Sequence, residues 1–250
     1  MINLFGNSLP LESYGILLIV ALLIGMAKTG VHGAGMVAVP ILAITFGGRS
    51  SSGLMLPILI MADVFGVSYY HRFADWGHLR KLMPSATVGV LLGTLIGNFI
   101  NDEIFKLLMA IFIFGSLGIM VWMERSQKKE VPDSLWFAAL MGVLGGFTSM
   151  VGNLAGSVMA LYLLSMRLPK NQFIGTAAWF FMVLNLIKVP FHVIGWGTLS
   201  TKTILLDLTT IPAIAIGAFL GVYIVRLFSE VYYRWFIIAS TLAAAIFMIA

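Results

Sequence analysis

Three residues stand inside hydrocarbon where side chains of their type are costly: Asp63 in MLPILIMADVFGV, and Asn185 and Lys188 in FMVLNLIKVPF. A charge near the centre of a bilayer costs about 3 kcal/mol or more, and such groups usually serve ion or substrate pathways. A buried carboxyl can carry a proton; a buried ammonium can hold an anion. Asn185 and Lys188 are three apart and share one helix face, and Pro190 loosens the helix just beyond them. The bland alternative is an Asp63–Lys188 pair that neutralises itself and does nothing else.

Two glycine-rich stretches interrupt the apolar sequence: GMAKTGVHGAGMVAVP at 25–40 and GGFTSMVGNLAG at 145–156. A helix broken in lipid exposes unsatisfied amides, so breaks survive only where they are buried in protein or line a wet cavity. Paired breaks of this kind in inverted-repeat transporters aim half-helix N-termini, with free N–H groups and positive dipole ends, at anions. The candidate substrate contacts are therefore Gly30, His32, Gly33 and Gly35 from the first break, and Gly152, Asn153 and Gly156 from the second. Asn185 and Lys188 join them, and Asp63 is the candidate for proton coupling. The competing reading of the glycines is close helix packing, for which small residues are common in membranes.

The elements that must position these groups follow from composition. The chain has 250 residues, is 60% hydrophobic and only 10% charged, against about a quarter charged in soluble domains. It reads as an all-α integral membrane protein; the alternation of a β-barrel is absent. Cysteine is absent, so disulfides and thiolate metal sites are excluded. The net charge of +5 fits basic membrane loops rather than nucleic acid, and no nucleic-acid partner is expected. No basic residue precedes the first apolar run, so the N-terminus is expected to remain rather than be cleaved as a signal peptide.

The longest polar stretch, ERSQKKEVPD at 124–133, divides the chain into 1–123, a linker at 124–134, and 135–250. The halves repeat. Ala34-Gly35 matches Ala155-Gly156 at an offset of 121, while Gly53 matches Gly175 and Asp63 meets Asn185 at 122. At 128, Pro84, Gly89, Gly93, Phe105 and Lys106 match Pro212, Gly217, Gly221, Tyr233 and Arg234. Each half holds about five apolar segments: 12–27, 34–47, 53–71, 84–100 and 104–123, then 135–148, 154–166, 173–194, 204–226 and 231–250. The first two in each half are short, which suits discontinuous or re-entrant helices.

An odd number of crossings per half inverts the second half. With the N-terminus outside, one face receives Lys28, Arg72, Arg80, Lys81, Arg125, Lys128, Lys129, Arg167, Lys170, Arg226 and Arg234, and the other only Arg49, Lys106 and Lys202. That bias favours two inverted repeats with both termini outside and the linker in the cytoplasm. If the short pairs re-enter, Lys28 moves toward mid-membrane.

His71 and His78 lie in the basic loop and read as interfacial; His32 lies in a break, as an anion donor, proton relay or satisfied loop residue. None has metal-ligand spacing with carboxylates, and no cofactor is expected. Trp76, Trp122, Trp136 and Trp196 fall near segment ends, where aromatic belts anchor. Three other function classes stay open. A cation or other small-solute permease has one clear intramembrane carboxylate, Asp63, to work with. An intramembrane protease would need Ser149 or Ser157 with His192, without any supporting motif. A non-transporting assembly protein leaves Asp63, Lys188 and the matched breaks without a use. Homo-oligomerisation stays open as well.

The paired breaks, the Pro-ended GAGMVAVP, Asp63 with Asn185 and Lys188 at its repeat counterpart, and the chain length resemble the TauE/SafE family of sulfite and organosulfonate exporters. The resemblance covers nearly the whole chain. It implies a permease of the bacterial inner membrane for small sulfur-containing anions, coupled to the proton gradient, with lipid bilayer and anion as its partners and no enzymatic activity.

Overall fold

In a computed structural model, the structure describes residues 2–4, 7–97, 99, 104, 111, 114, 115, 118, 121 and 134–249. Most of the apolar segment expected at 104–123 and of the linker at 124–134 thus lies outside the described residues.

A small antiparallel pair, β1 (Ile2–Leu4) and β2 (Asn7–Leu9), precedes an otherwise helical body. Helix α1 (Leu11–Lys28) starts directly after Pro10, whose missing N–H costs nothing at a helix entry, and stops at the first glycine-rich break. Helix α2 (His32–Phe46) folds back along α1. Gly47, with φ of +84°, then turns the chain into α3 (Gly48–Tyr70), a backbone angle that glycine adopts without penalty. Helix α4 (Trp76–Gly97) follows. It begins eight residues before the expected segment start because Pro84 is accommodated inside it.

The second half opens with α5 (Leu135–Gly152) and α6 (Ala155–Ser165), which pack on each other as α1 and α2 do. Helix α7 (Lys170–Pro190) passes into a π-helical turn at Phe191–Gly195. The segment expected as one piece at 204–226 is two helices, α8 (Thr201–Leu208) and α9 (Ile211–Arg226), bent by 55°. Pro212 sits in the first turn of α9, where it cannot donate back across Thr209 and Thr210, so the break falls there. Helix α10 (Glu230–Ile249) closes the chain.

Among the described residues, five helices are long and apolar enough to cross a bilayer, or six if α8 and α9 form one bent span. The protein is an all-α membrane protein. Because lipid is as apolar as leucine, helix association in a bilayer rests on close packing rather than on escape from water. The glycines supply that closeness, and the same contact is made twice. A Cβ on Gly25 of α1 would collide with the backbone of Ile214 and Ala218 in α9; one on Gly146 of α5 would collide with Ala86 and Val90 in α4. Those partners stand at the sequence offsets of 121 and 128. Reciprocally, Gly217 presses on Leu22 and Gly89 on Val143. Thus α1 packs on α9 as α5 packs on α4, while α3 and α7 pack on each other at the centre.

Candidate functional site

Two helix–break–helix hairpins, α1/α2 and α5/α6, bring their tips against α3 and α7. Counting 1.5 Å per residue, Lys28 lies ~26 Å along α1 from its start, and Asn185 ~22 Å along α7. Both breaks sit deep in the helical body, since Lys28 contacts fully buried Asp63 and Asn153 contacts fully buried Lys188.

The polar groups there form one chain of contacts. Lys28 Nζ, at the end of α1, pairs with Asp63 Oδ1 at 2.8 Å, and the two side chains are 8% and 0% exposed. The same ammonium stands 4.1 Å from the centre of the Phe181 ring, whose π face stabilises it further. Asn185 Nδ2 donates to Asp63 Oδ2 at 2.7 Å, so the residues matched by the repeat meet each other. Lys188 Nζ donates to Asn153 Oδ1 at 2.5 Å, Ser149 Oγ at 3.2 Å and Asn185 Oδ1 at 3.3 Å. Asn153 ends α5 in the left-handed region (φ 55°), which asparagine tolerates better than most residues. Its amide nitrogen faces Ser52 Oγ at 3.3 Å, tying the second tip to α3.

The alternative of a self-neutralising Asp63–Lys188 pair gives way to Asp63–Lys28. Helix α1 ends at the level of Asp63, and its terminal lysine reaches the carboxylate directly, while Asn185 stands between Asp63 and Lys188. The charges are unevenly matched: Lys28 has a carboxylate, whereas the hydrogen-bond partners found for fully buried Lys188 are neutral. With all three groups ionised the cluster carries one surplus positive charge.

Beside this cluster lies a cavity of about 60 Å³, room for roughly four waters at ~15 Å³ each. Its polar wall is Lys28, Ser149, Asn153 and Asn185, and its apolar wall includes Ile24, Val39, Met55, Leu59 and Phe181. Gly35 and Gly156, one from each hairpin, also line it. Gly156 belongs to the first turn of α6, whose amides have no intrahelical acceptor and carry the positive end of that helix's dipole.

Of the candidates read from sequence, Gly35, Asn153, Gly156 and Asn185 thus line the cavity, and Lys188 and Asp63 are bonded to its wall. Gly33 and Gly152 are buried in the tips. Gly30 has a packing role: φ is +124°, its carbonyl accepts from Tyr233 Oη at 2.8 Å, and a side chain would strike Val225 and Ile174. His32 opens α2, and its side chain lies outside the described residues. Lys28, Ser149 and Phe181 were missed as site residues. Lys28 stands within the first glycine-rich stretch and was counted with the basic face, with a mid-membrane place expected only if the short pairs re-enter.

The serines and histidine considered for proteolysis are committed elsewhere. Ser149 accepts from Lys188, Ser157 donates to the Leu154 carbonyl, and His192 Nδ1 engages Thr198 Oγ1. His78, expected as merely interfacial, contacts Tyr162 Oη at 2.8 Å. Among the described residues no three His, Asp or Glu side chains group as metal ligands.

Residues 17–248 match the family model described as "Sulfite exporter TauE/SafE". No curated protein and no solved structure matches the chain.

Proposed function

Because the chain belongs to the sulfite exporter TauE/SafE family, and is therefore a multi-pass membrane transporter of the sulfite-exporter type, we propose that it moves sulfite, sulfonates or related small sulfur-containing anions across the bacterial inner membrane with proton coupling. The observation that carries this reading is Lys188, a fully buried cation with neutral hydrogen-bond partners beside a small cavity. A buried charge whose direct partners are all neutral is costly, and an anion in the cavity offsets that cost. Substrate oxygens would also accept from the first-turn amides of α6 and from Asn153.

Coupling follows from the pair that Lys28 makes. Lys28 lines the cavity and Asp63 stands behind it, so an incoming anion competes with Asp63 for the ammonium. Asp63, losing its partner in an apolar place, takes up a proton, and release of the anion reverses the exchange. The surplus positive charge favours this reading over cation transport. Uptake of radiolabelled sulfite into proteoliposomes is expected to rise when a pH gradient is imposed, and uptake equal to that of protein-free vesicles would refute the proposal.

The two hairpins are taken to enter from opposite sides, as inverted repeats with both termini outside. Support comes from the basic residues on one face and from the glycine contacts repeated at matched offsets. Ser50 and Gln172 are equivalent at the offset of 122, and both are exposed. In this cysteine-free chain, Ser50→Cys and Gln172→Cys should react with an impermeant thiol reagent from opposite sides; labelling from one side contradicts the inversion.

A further inference from the structure

Away from the cavity, a groove of about 370 Å³ runs between α3 and α9 on the outer surface of the helical body. Its floor on α9 is a single stripe, Ala215, Phe219, Tyr223 and Arg226, faced by Phe65 and Tyr69 of α3. The spacing of three and four residues keeps these side chains on one helix face. From Ala215 to Arg226 the stripe climbs ~16 Å at 1.5 Å per residue, close to half of the ~30 Å hydrocarbon layer. The groove is thus as long as one leaflet is deep.

Its two ends differ. The inner end is apolar. The outer end holds Arg226, which donates to Tyr69 Oη and lies 5.5 Å from that ring. There the groove adjoins a second cavity of about 250 Å³ that shares Tyr69 and Arg226 and adds Lys170 and Asn171. Lys170 Nζ donates to the carbonyls of Val225 and Phe228 at 3.3 and 2.5 Å, so its charge is fixed at the C-terminus of α9. Glu230 is the carboxylate nearby, accepting from the Lys170 amide at 2.6 Å. Two cations against one carboxylate leave a positive end on the face that carries most basic residues.

We propose that this groove is a binding site for one anionic phospholipid of the leaflet on that basic face, with an acyl chain along α9 and its phosphate at Arg226 and Lys170. Charge, length and polarity gradient all match such a molecule, and a free anion would leave the apolar stripe unused. Thr29, at the inner wall, donates to the Ala218 carbonyl at 2.9 Å and directly follows Lys28, so the bound chain lies against the tip that carries the Lys28–Asp63 pair.

The test uses the purified full chain in neutral detergent, titrated with phosphatidylglycerol or phosphatidylcholine and read by native mass spectrometry. Phosphatidylglycerol is expected to bind more tightly, and Arg226→Gln to weaken it about fivefold, the equivalent of ~1 kcal/mol for one interfacial cation, without changing phosphatidylcholine. Ala215→Phe, which fills the groove, should weaken both lipids. As a check needing no variant, phosphatidylglycerol should raise the unfolding temperature of the wild-type chain more than phosphatidylcholine does. Equal binding of the two lipids, phosphatidylglycerol binding unchanged by Arg226→Gln, or displacement by millimolar inorganic phosphate would overturn the proposal.

Discussion

The tip between α1 and α2 and the tip between α5 and α6 hold equivalent places in the two halves and carry unlike chemistry. The first brings its own cation, Lys28, and meets a carboxylate, Asp63. At the offset of 121, the residue matching Lys28 is Ser149, which is neutral and accepts from Lys188 of α7. At the offset of 122, the residue matching Lys188 is Gly66 of α3, where a Cβ would stand 2.6 Å from the Lys28 carbonyl. Each half thus delivers one ammonium to the centre, from the hairpin tip in one case and from the central helix in the other. The missing side chain at Gly66 is what lets the first tip come close. The difference teaches that one scaffold holds its two buried cations in unlike settings, Lys28 against a carboxylate and Lys188 among neutral acceptors.

The contrast is broken most forcefully at the two lysines. Lys28→Met leaves Asp63 buried with Asn185 as its remaining hydrogen-bond partner and should cost about 3–5 kcal/mol, read as a lower unfolding temperature in detergent. Adding Asp63→Asn should restore most of the loss. Lys188→Met, in contrast, strips neutral acceptors of a donor and should cost about 1 kcal/mol in stability while weakening sulfite binding by about 10- to 100-fold, the worth of a charge-assisted hydrogen bond. Equal stability losses at the two lysines would erase the distinction.

A smaller effect is expected where the halves are alike. Gly25→Ala and Gly146→Ala each place a methyl against a facing backbone, and each should destabilise by about 1–3 kcal/mol. Their losses should agree with each other, and a tolerant Gly25 beside an intolerant Gly146 would show that the repeated contact is not energetically repeated. The smallest effect belongs to Ser149→Ala, which removes one 3.2 Å bond and should cost under about 1 kcal/mol. Set beside Lys28→Met, its counterpart, that mild change measures how far the two tips have diverged.

Much of this was legible in the chain. Breaks in hydrocarbon are conspicuous because glycine, asparagine and lysine stand out against leucine and isoleucine, so both tips and most helices followed from hydropathy. The match of Asp63 with Asn185 pointed to two residues that hydrogen-bond to each other. Which lysine Asp63 takes was not legible. Lys28 and Lys188 were both available, and the choice depends on how far α1 reaches beside α3, a packing distance that periodicity does not encode. The break at Thr209 and Thr210 left a visible signal, two threonines before Pro212, but apolar residues on both sides concealed the 55° bend. The groove on α9 escaped notice because a stripe of alanine and aromatic residues in a membrane helix has the same composition whether it faces lipid or protein.

The most direct test of the account compares two transport modes of Asp63→Asn in proteoliposomes loaded with sulfite. Asparagine imitates the protonated carboxyl and cannot exchange a proton, so counterflow of labelled sulfite should persist while stimulation by an imposed pH gradient disappears. If gradient-driven uptake in the variant remains as strong as in the wild type, Asp63 does not carry the coupled proton and the assignment of the Lys28–Asp63 pair to coupling is wrong.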